Sequence, residues 1–197
     1  MNKEIDKGAL FLQQVSVEQD ALNLLFMYLK QDFSISERMP SFIMRSAFKK
    51  GLLQAVYLTD GSEVYSYAIY QYEPEQDCLH VLYLAVLSDY RSLGIGSVLL
   101  TRLKDLSNGR MLLEVEDPDK TNKLEALTIR SRRIAFYERN GFHLNSTIHL
   151  KNFGYPLRLM TLQELPEVDM KEFQKYYQDL YNRVYQFPIG KIIVKAH

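Results

Sequence analysis

Apolar positions follow two rhythms along this chain, and the change between them marks its central feature. Leu79 to Leu87 is a nearly continuous apolar run broken by His80. Its length and its β-branched and aromatic content predict a buried strand. A polar turn, Ser88-Asp89-Tyr90, leads into Arg91-Ser92-Leu93-Gly94-Ile95-Gly96. Past the glycines the period turns helical, with Ile95, Leu99, Leu103 and Leu106 on one face. The order is strand, glycine-bearing loop, helix.

The same reading covers the rest of the chain. Ala9 to Val15 predicts a first strand, and Ser16 a cap for a helix carrying Ala21, Leu22, Leu25, Tyr28 and Leu29. After a polar connection over 31–39, Pro40 opens a second helix with Phe42, Ile43, Ala47 and Phe48, which Gly51 closes. Leu52–Leu58 and Val64–Tyr72 are strands about a turn at 59–62, and 73–77 turns into the central strand. Asn108-Gly109 ends the glycine-loop helix, and Met111–Val115 is a further strand, so strand–helix–strand implies a right-handed crossover and a parallel pair. Asn122 with Glu125 is a candidate cap for a helix running to Arg139, closed by Asn140-Gly141. Phe142–Leu150 and Leu157–Gln163 form a final strand pair around Asn152-Phe153-Gly154. Met170–Phe187 reads as a helix rich in tyrosine, with a short apolar end at Ile192-Ile193-Val194. That tail pads the domain, with a subunit contact or a lid as the sharper alternatives.

At 197 residues, one domain with a small appendage is expected. The 24 Lys and Arg balance 24 Asp and Glu, so no global field argues for nucleic acid or a membrane. The single cysteine, Cys78, has no internal disulfide partner, which fits a reducing compartment. No signal peptide and no run of membrane-spanning length is seen, and a cytoplasmic location is expected.

The glycine loop carries the first candidate chemistry. Backbone N–H groups at a helix start, with glycines that let an anion approach, make a phosphate cradle, and Arg91 adds a fixed charge. A Walker loop would end in Gly-Lys-Ser/Thr, and Gly96-Ser97-Val98 lacks the lysine. A Rossmann fingerprint would place a third glycine where Leu99 stands.

Arg-x-x-Gly-x-Gly after an apolar strand ending Leu-Ala-Val resembles the acyl-CoA-binding signature of the GNAT N-acetyltransferases. Residues 132–142, Arg-Arg-Ile-Ala-Phe-Tyr-Glu-Arg-Asn-Gly-Phe, resemble that superfamily's later helix with its Tyr-x-x-x-Gly-Phe ending. The resemblance covers roughly residues 8–163. It implies a mixed α/β (α+β) fold: a central, mostly antiparallel sheet of about six or seven strands with a parallel pair at its centre, flanked by helices. It also implies an acyl-CoA-binding domain over 1–163, with 164–197 as an extension packed on it.

Acetyl-CoA is the implied cosubstrate, a small-molecule or protein amine the implied acceptor, and no metal is expected. Arg91, Ser92, Leu93, Gly94, Ile95 and Gly96 are the implied pyrophosphate loop. Leu84, Ala85 and Val86 are the implied backbone contacts to the pantetheine, with a backbone N–H there as oxyanion donor. Tyr137 matches the tyrosine placed beside the CoA sulfur, its alternative being a core aromatic next to Phe136. An asparagine usual seven positions before that tyrosine is Arg130 here. With Arg132 and Arg133, it is a candidate for a CoA phosphate, an acidic acceptor, or a basic surface balanced by the acidic loop at 116–119.

The acceptor must lose a proton, since an amine of pKa about 10.4 is ammonium at neutral pH. His80, six residues before Val86, stands where several family members carry a base, and an imidazole titrates near neutrality. Glu114 and Glu116, on one face of the next strand, are the competing bases. Glu114 sits well inside that strand, where burial can raise its pKa and make it a base, or where it can equally pair with an arginine of the following helix. Glu116 and Asp117 are alternatively candidates to bind the acceptor ammonium. The leading reading is direct acetyl transfer, with Cys78 a poor nucleophile candidate. A non-catalytic acyl-CoA-binding module is the alternative, and an interaction protein using the tyrosine-rich tail a third. Homodimers are common in the family, and nothing in the chain demands one.

Overall fold

A computed structural model of the chain describes residues 5–73, 77–163 and 169–196. It divides into two compact units, Met1–Tyr72 with Val81–Asn108, and Glu73–His80 with Gly109–His197.

The first unit holds β1 (Phe11–Gln14), α1 (Gln19–Asp32), α2 (Ser41–Lys49), β2 (Gln54–Thr59) and β3 (Val64–Glu73). It also takes the later part of β4 (Cys78–Val86) and all of α3 (Ile95–Leu106). β1 and β3 flank β2 in antiparallel register, Phe11 opposite Thr59 and Tyr57 opposite Tyr67. The helical spacing in α1 buries Leu22, Leu25, Phe26 and Leu29. Phe26 meets Phe48 of α2 at 6.2 Å between ring centres, and Tyr28 stands edge-on to Tyr57 at 6.1 Å. In α3, Ile95, Leu99 and Leu103 are buried as their spacing predicts, whereas Leu106 is exposed at the helix end. Phe42 of α2 also faces outward. Ser16 does not cap α1: its hydroxyl accepts from the amide of Glu18, which is itself the N-cap residue.

The second unit holds the start of β4 and β5 (Met111–Glu116), α4 (Leu124–Arg139), β6 (His143–Asn152) and β7 (Tyr155–Thr161). It ends in α5 (Met170–Tyr185), α6 (Gly190–Ile193) and β8 (Val194–Ala196). β7 pairs antiparallel with both β5 and β6, and β6 with β8. The β6–β7 hairpin turns through Phe153 and Gly154, both at positive φ, as a two-residue connection demands. Helix α4 starts after Lys123 without a side-chain cap, so the Asn122–Glu125 pair does not cap it. α5 is capped by Asp169, whose carboxylate accepts from the amides of Lys171 and Glu172. Its Phe173, Tyr177, Leu180 and Tyr181 form one core with Leu112, Ile148, Leu150 and Leu159.

The hydrogen-bonded strand order is β1-β2-β3-β4-β5-β7-β6-β8. β4 and β5 are its parallel neighbours, joined at their start by the Leu79 amide donating to the Arg110 carbonyl at 2.9 Å. Eight strands are described where six or seven were expected, because the tail contributes β8. The 73–77 turn falls on residues 74–76, outside the described residues. Among the described residues no helix is long and apolar enough to cross a membrane.

Candidate active site

The candidate residues fall into two groups, one in each unit. In the first unit, β4 ends in a single turn at Ser88–Tyr90, and the chain then passes through two left-handed residues, Ser92 at φ 65° and Gly94 at φ 78°. Gly94 is the N-cap of α3, and its carbonyl takes the first intrahelical bonds, from Ser97 at 3.2 Å and Val98 at 3.4 Å. The amides of Ile95 and Gly96 therefore precede the first intrahelical bond, at the positive end of a helix of 12 residues. Leu84, Ala85 and Val86 lie half-buried at the strand end, so the apolar run is not closed over. Arg91 lies beside this loop, but its guanidinium is engaged: Nη2 donates to Asp32 at 2.6 Å and Nε to the Val86 carbonyl at 3.1 Å. A second cation comes from β1's approach, for a Cβ at Gly94 would stand 3.1 Å from the Lys7 ammonium.

In the second unit, His80 is buried at 2% exposure and its Nε2 lies 3.1 Å from Glu114 Oε1. The hydroxyls of Tyr177 and Tyr181 donate to that same oxygen, Tyr181 at 2.7 Å and Tyr177 in a short contact. Asn152 donates to the Tyr181 hydroxyl and reaches Glu114 Oε2 at 3.5 Å. Burial would raise the Glu114 carboxyl, but the hydrogen bond and charge of His80, with the two tyrosines, outweigh it and hold the group below its ordinary value. An ionised carboxylate only accepts, so Nε2 carries the hydrogen, and whenever the ring is neutral its lone pair is the one on Nδ1. Nδ1 is buried and hydrogen-bonded to nothing among the described residues.

Tyr137 is buried in α4, edge-on to Phe136 at 5.2 Å and Phe142 at 5.5 Å. Burial pushes its phenol up to about 12, with Arg133 acting in the opposite sense.

Residues 53–144 match the acetyltransferase (GNAT) domain family. Among solved structures its fold is shared with a protein assigned to the GNAT-family acetyltransferases of Bacteroides thetaiotaomicron, 22% identical over 89% of this chain and 98% of that one, at a TM-score of 0.70. The ribosomal-protein-S18-alanine N-acetyltransferase of Escherichia coli is 19% identical over 81% and 99%, at 0.54. An aminoglycoside 6′-N-acetyltransferase complexed with coenzyme A is 16% identical over 80% and 99%, at 0.58. No curated protein matches the sequence.

The GNAT-matched stretch contains the glycine loop, His80, Glu114, Arg130 and Tyr137. Within it, Arg130 is engaged inside its own unit: Nη1 donates to the Asp117 carbonyl at 2.7 Å, and Nε lies 3.9 Å from Glu116. Arg133 donates to Glu116 as well, so these arginines balance the acidic loop and Glu116 is itself paired. Glu114 pairs with a histidine and two tyrosines instead of an arginine, and its carboxyl moves down, not up. Cys78 is no activated nucleophile, since burial pushes its thiol up to about 11. Sequence reasoning missed Tyr177, Tyr181, Asn152, Asp32 and Lys7. The repeated tyrosines of the tail were the one visible signal.

Proposed function

We propose that the protein is an N-acetyltransferase that moves the acetyl group of acetyl-CoA to a primary amine by direct attack in a ternary complex. The observation that carries this reading is the β4–loop–α3 arrangement inside a GNAT domain, with amides ahead of the first helical bond and no Cβ at Gly94. The pyrophosphate belongs at the amides of Gly94, Ile95 and Gly96, aided by Lys7 and the loop that Arg91 braces. Leu84, Ala85 and Val86 offer backbone to the pantetheine and an N–H to the developing oxyanion.

His80 is the proposed base and Glu114 its orienting partner. The acceptor ammonium gives a proton to His80 Nδ1, directly or through water. The freed lone pair attacks the thioester carbonyl carbon, the C–N bond forms and the carbonyl oxygen becomes an oxyanion. Collapse breaks the C–S bond and leaves the electron pair on sulfur. A phenol at about 12 is a weaker acid than a thiol of about 8.5, so Tyr137 serves the leaving sulfur as a hydrogen-bond donor. The sulfur's final proton comes from the imidazolium or water, and the products are amide, coenzyme A thiol and one released proton. A primary amine acceptor is supported by relatives of the same fold named for N-acetylation of a ribosomal-protein alanine and of an aminoglycoside.

The test is a thermal shift with acetyl-CoA followed by thiol release with a panel of primary amines. Ligand at a hundredfold over its dissociation constant adds about 2.7 kcal/mol. The expected result is a shift that Gly94→Glu abolishes, and thiol release that needs an amine. Binding without release by any amine would leave an acyl-CoA-binding module. No shift at millimolar ligand would overturn both.

A further inference from the structure

Helix α5 lies outside the 53–144 stretch that matches the acetyltransferase family, yet two of its side chains end on Glu114. Phe173, Tyr177, Tyr181 and Tyr185 repeat at four-residue spacing, and neighbouring rings along this row stand 5.7, 5.6 and 6.4 Å apart. Packing alone would be met by phenylalanine, which buries the same ring without a hydroxyl to satisfy. Tyr177 is fully buried and Tyr181 6% exposed, and both hydroxyls converge on the one carboxylate oxygen that faces His80.

We infer that α5 belongs to the acid–base machinery: Tyr177 and Tyr181 are positioning residues that share the negative charge of Glu114, hold His80 through it, and keep His80 a neutral proton acceptor. A buried carboxylate beside an imidazole has two ways to be satisfied. It can draw a proton onto the ring and form an ion pair, which occupies the lone pair the base needs. Or it can take hydrogen bonds from neutral donors, which spread its charge and add none. The Nε2 hydrogen is common to both arrangements, and the two phenols on Oε1 are the neutral donors of the second.

The groups facing His80 fit this balance. Glu114 comes from β5, Tyr177 and Tyr181 from α5, and Asn152, uncharged, supports Tyr181 from β6. Cys78, two residues earlier on β4, stays a neutral thiol. Near Cys78 and Tyr176, Glu73 is paired with Arg183.

The inference rests on the N-acetyltransferase reading only for its kinetic arm. The full chain, labelled with ¹⁵N-histidine, is titrated by NMR without substrate, and the His80 signals are assigned by their loss in His80→Gln. The neutral ring is expected to carry its hydrogen on Nε2. Tyr177→Phe and Tyr181→Phe, near-isosteric changes, are expected to move the His80 midpoint to higher pH by about half to one pH unit. Glu114→Gln is expected to move it lower. The acid limb of kcat/KM should move with the NMR midpoint. An Nε2 without hydrogen in the neutral ring, or an unmoved midpoint in folded tyrosine variants, would overturn the inference. If Tyr177→Phe fails to fold, Tyr181→Phe at the edge of the cluster decides it. A shifted midpoint in a protein that acetylates nothing would uphold the relay and count against the enzyme reading.

Discussion

Arg91 donates to the Asp32 carboxylate at 2.6 Å across a sequence separation of 59 residues, tying the loop ahead of α3 to the end of α1. The two ends differ: Asp32 is 6% exposed and Arg91 57%. As an ion pair with one partner in water, it contributes only about 0–1 kcal/mol. Removing the arginine alone does more, because a buried carboxylate is left without its donor, at about 1–3 kcal/mol. Arg91→Ala should therefore lower stability by about that much and weaken acetyl-CoA binding. Asp32→Asn in the same chain should restore the stability and not the affinity. Urea unfolding and calorimetric titration of acetyl-CoA separate the two effects, and restoration of both would show that the pair acts through stability alone.

Lys7 and Gly94 make a second prediction. An ammonium beside a helix N-terminus is disfavoured by the dipole unless an anion joins it. Lys7→Ala should leave the melting temperature nearly unchanged and weaken acetyl-CoA binding about three- to tenfold, with a shallower salt dependence. At Gly94 the penalty is conformational: φ 78° costs any L-residue about 1–2 kcal/mol, so Gly94→Ala should destabilise even though the Lys7 side chain can swing aside. Equal effects of the two substitutions on unfolding would contradict this division.

What the sequence made legible is local. The apolar run, two glycines and a helical period define β4, its loop and α3 within a few residues, because each is written in neighbouring positions. The tight β6–β7 turn and the course of α4 to Tyr137 are legible for the same reason. What was hidden is long in range: Tyr177 and Tyr181 meet Glu114 across 63 and 67 residues, and Arg91 meets Asp32 across 59. Periodicity states that α5 has a buried face and not what that face touches. Glu114 was thus a candidate base with its pKa open, and only the donors around it turned the sign.

The buried tyrosines predict alkaline weakness. Burial pushes Tyr137 up to about 12 and Tyr177 well above its ordinary 10, so the native chain holds protons that the unfolded chain releases. Their stability contribution is full below about pH 10 and is lost as pH rises toward the folded values. Urea midpoints should fall steeply above pH 10, and Tyr137→Phe should flatten part of that fall. The same variant at neutral pH should lower kcat about ten- to a hundredfold with KM for acetyl-CoA little changed, since the phenol would act on the leaving sulfur only. A flat alkaline profile in the wild type would contradict the burial of these phenols.

Glu114 predicts the opposite limb. Its carboxyl is held below the ordinary 4.5 by His80, Tyr177 and Tyr181 against the pull of burial. With the folded value depressed, its contribution is present above about pH 4.5 and disappears as acid protonates the native group. Glu114→Gln keeps an oxygen for the tyrosines and removes the charge. It should cost about 1–3 kcal/mol at pH 7, since charge-assisted hydrogen bonds to His80 and two phenols are replaced by neutral ones. As pH falls below 4.5 the variant and wild-type curves should approach each other, and they converge once acid has protonated the native carboxyl below its depressed folded value. Urea unfolding from pH 3 to 7 reads both features, and two parallel curves would mean that the ionised form of Glu114 is not what the His80 cluster holds.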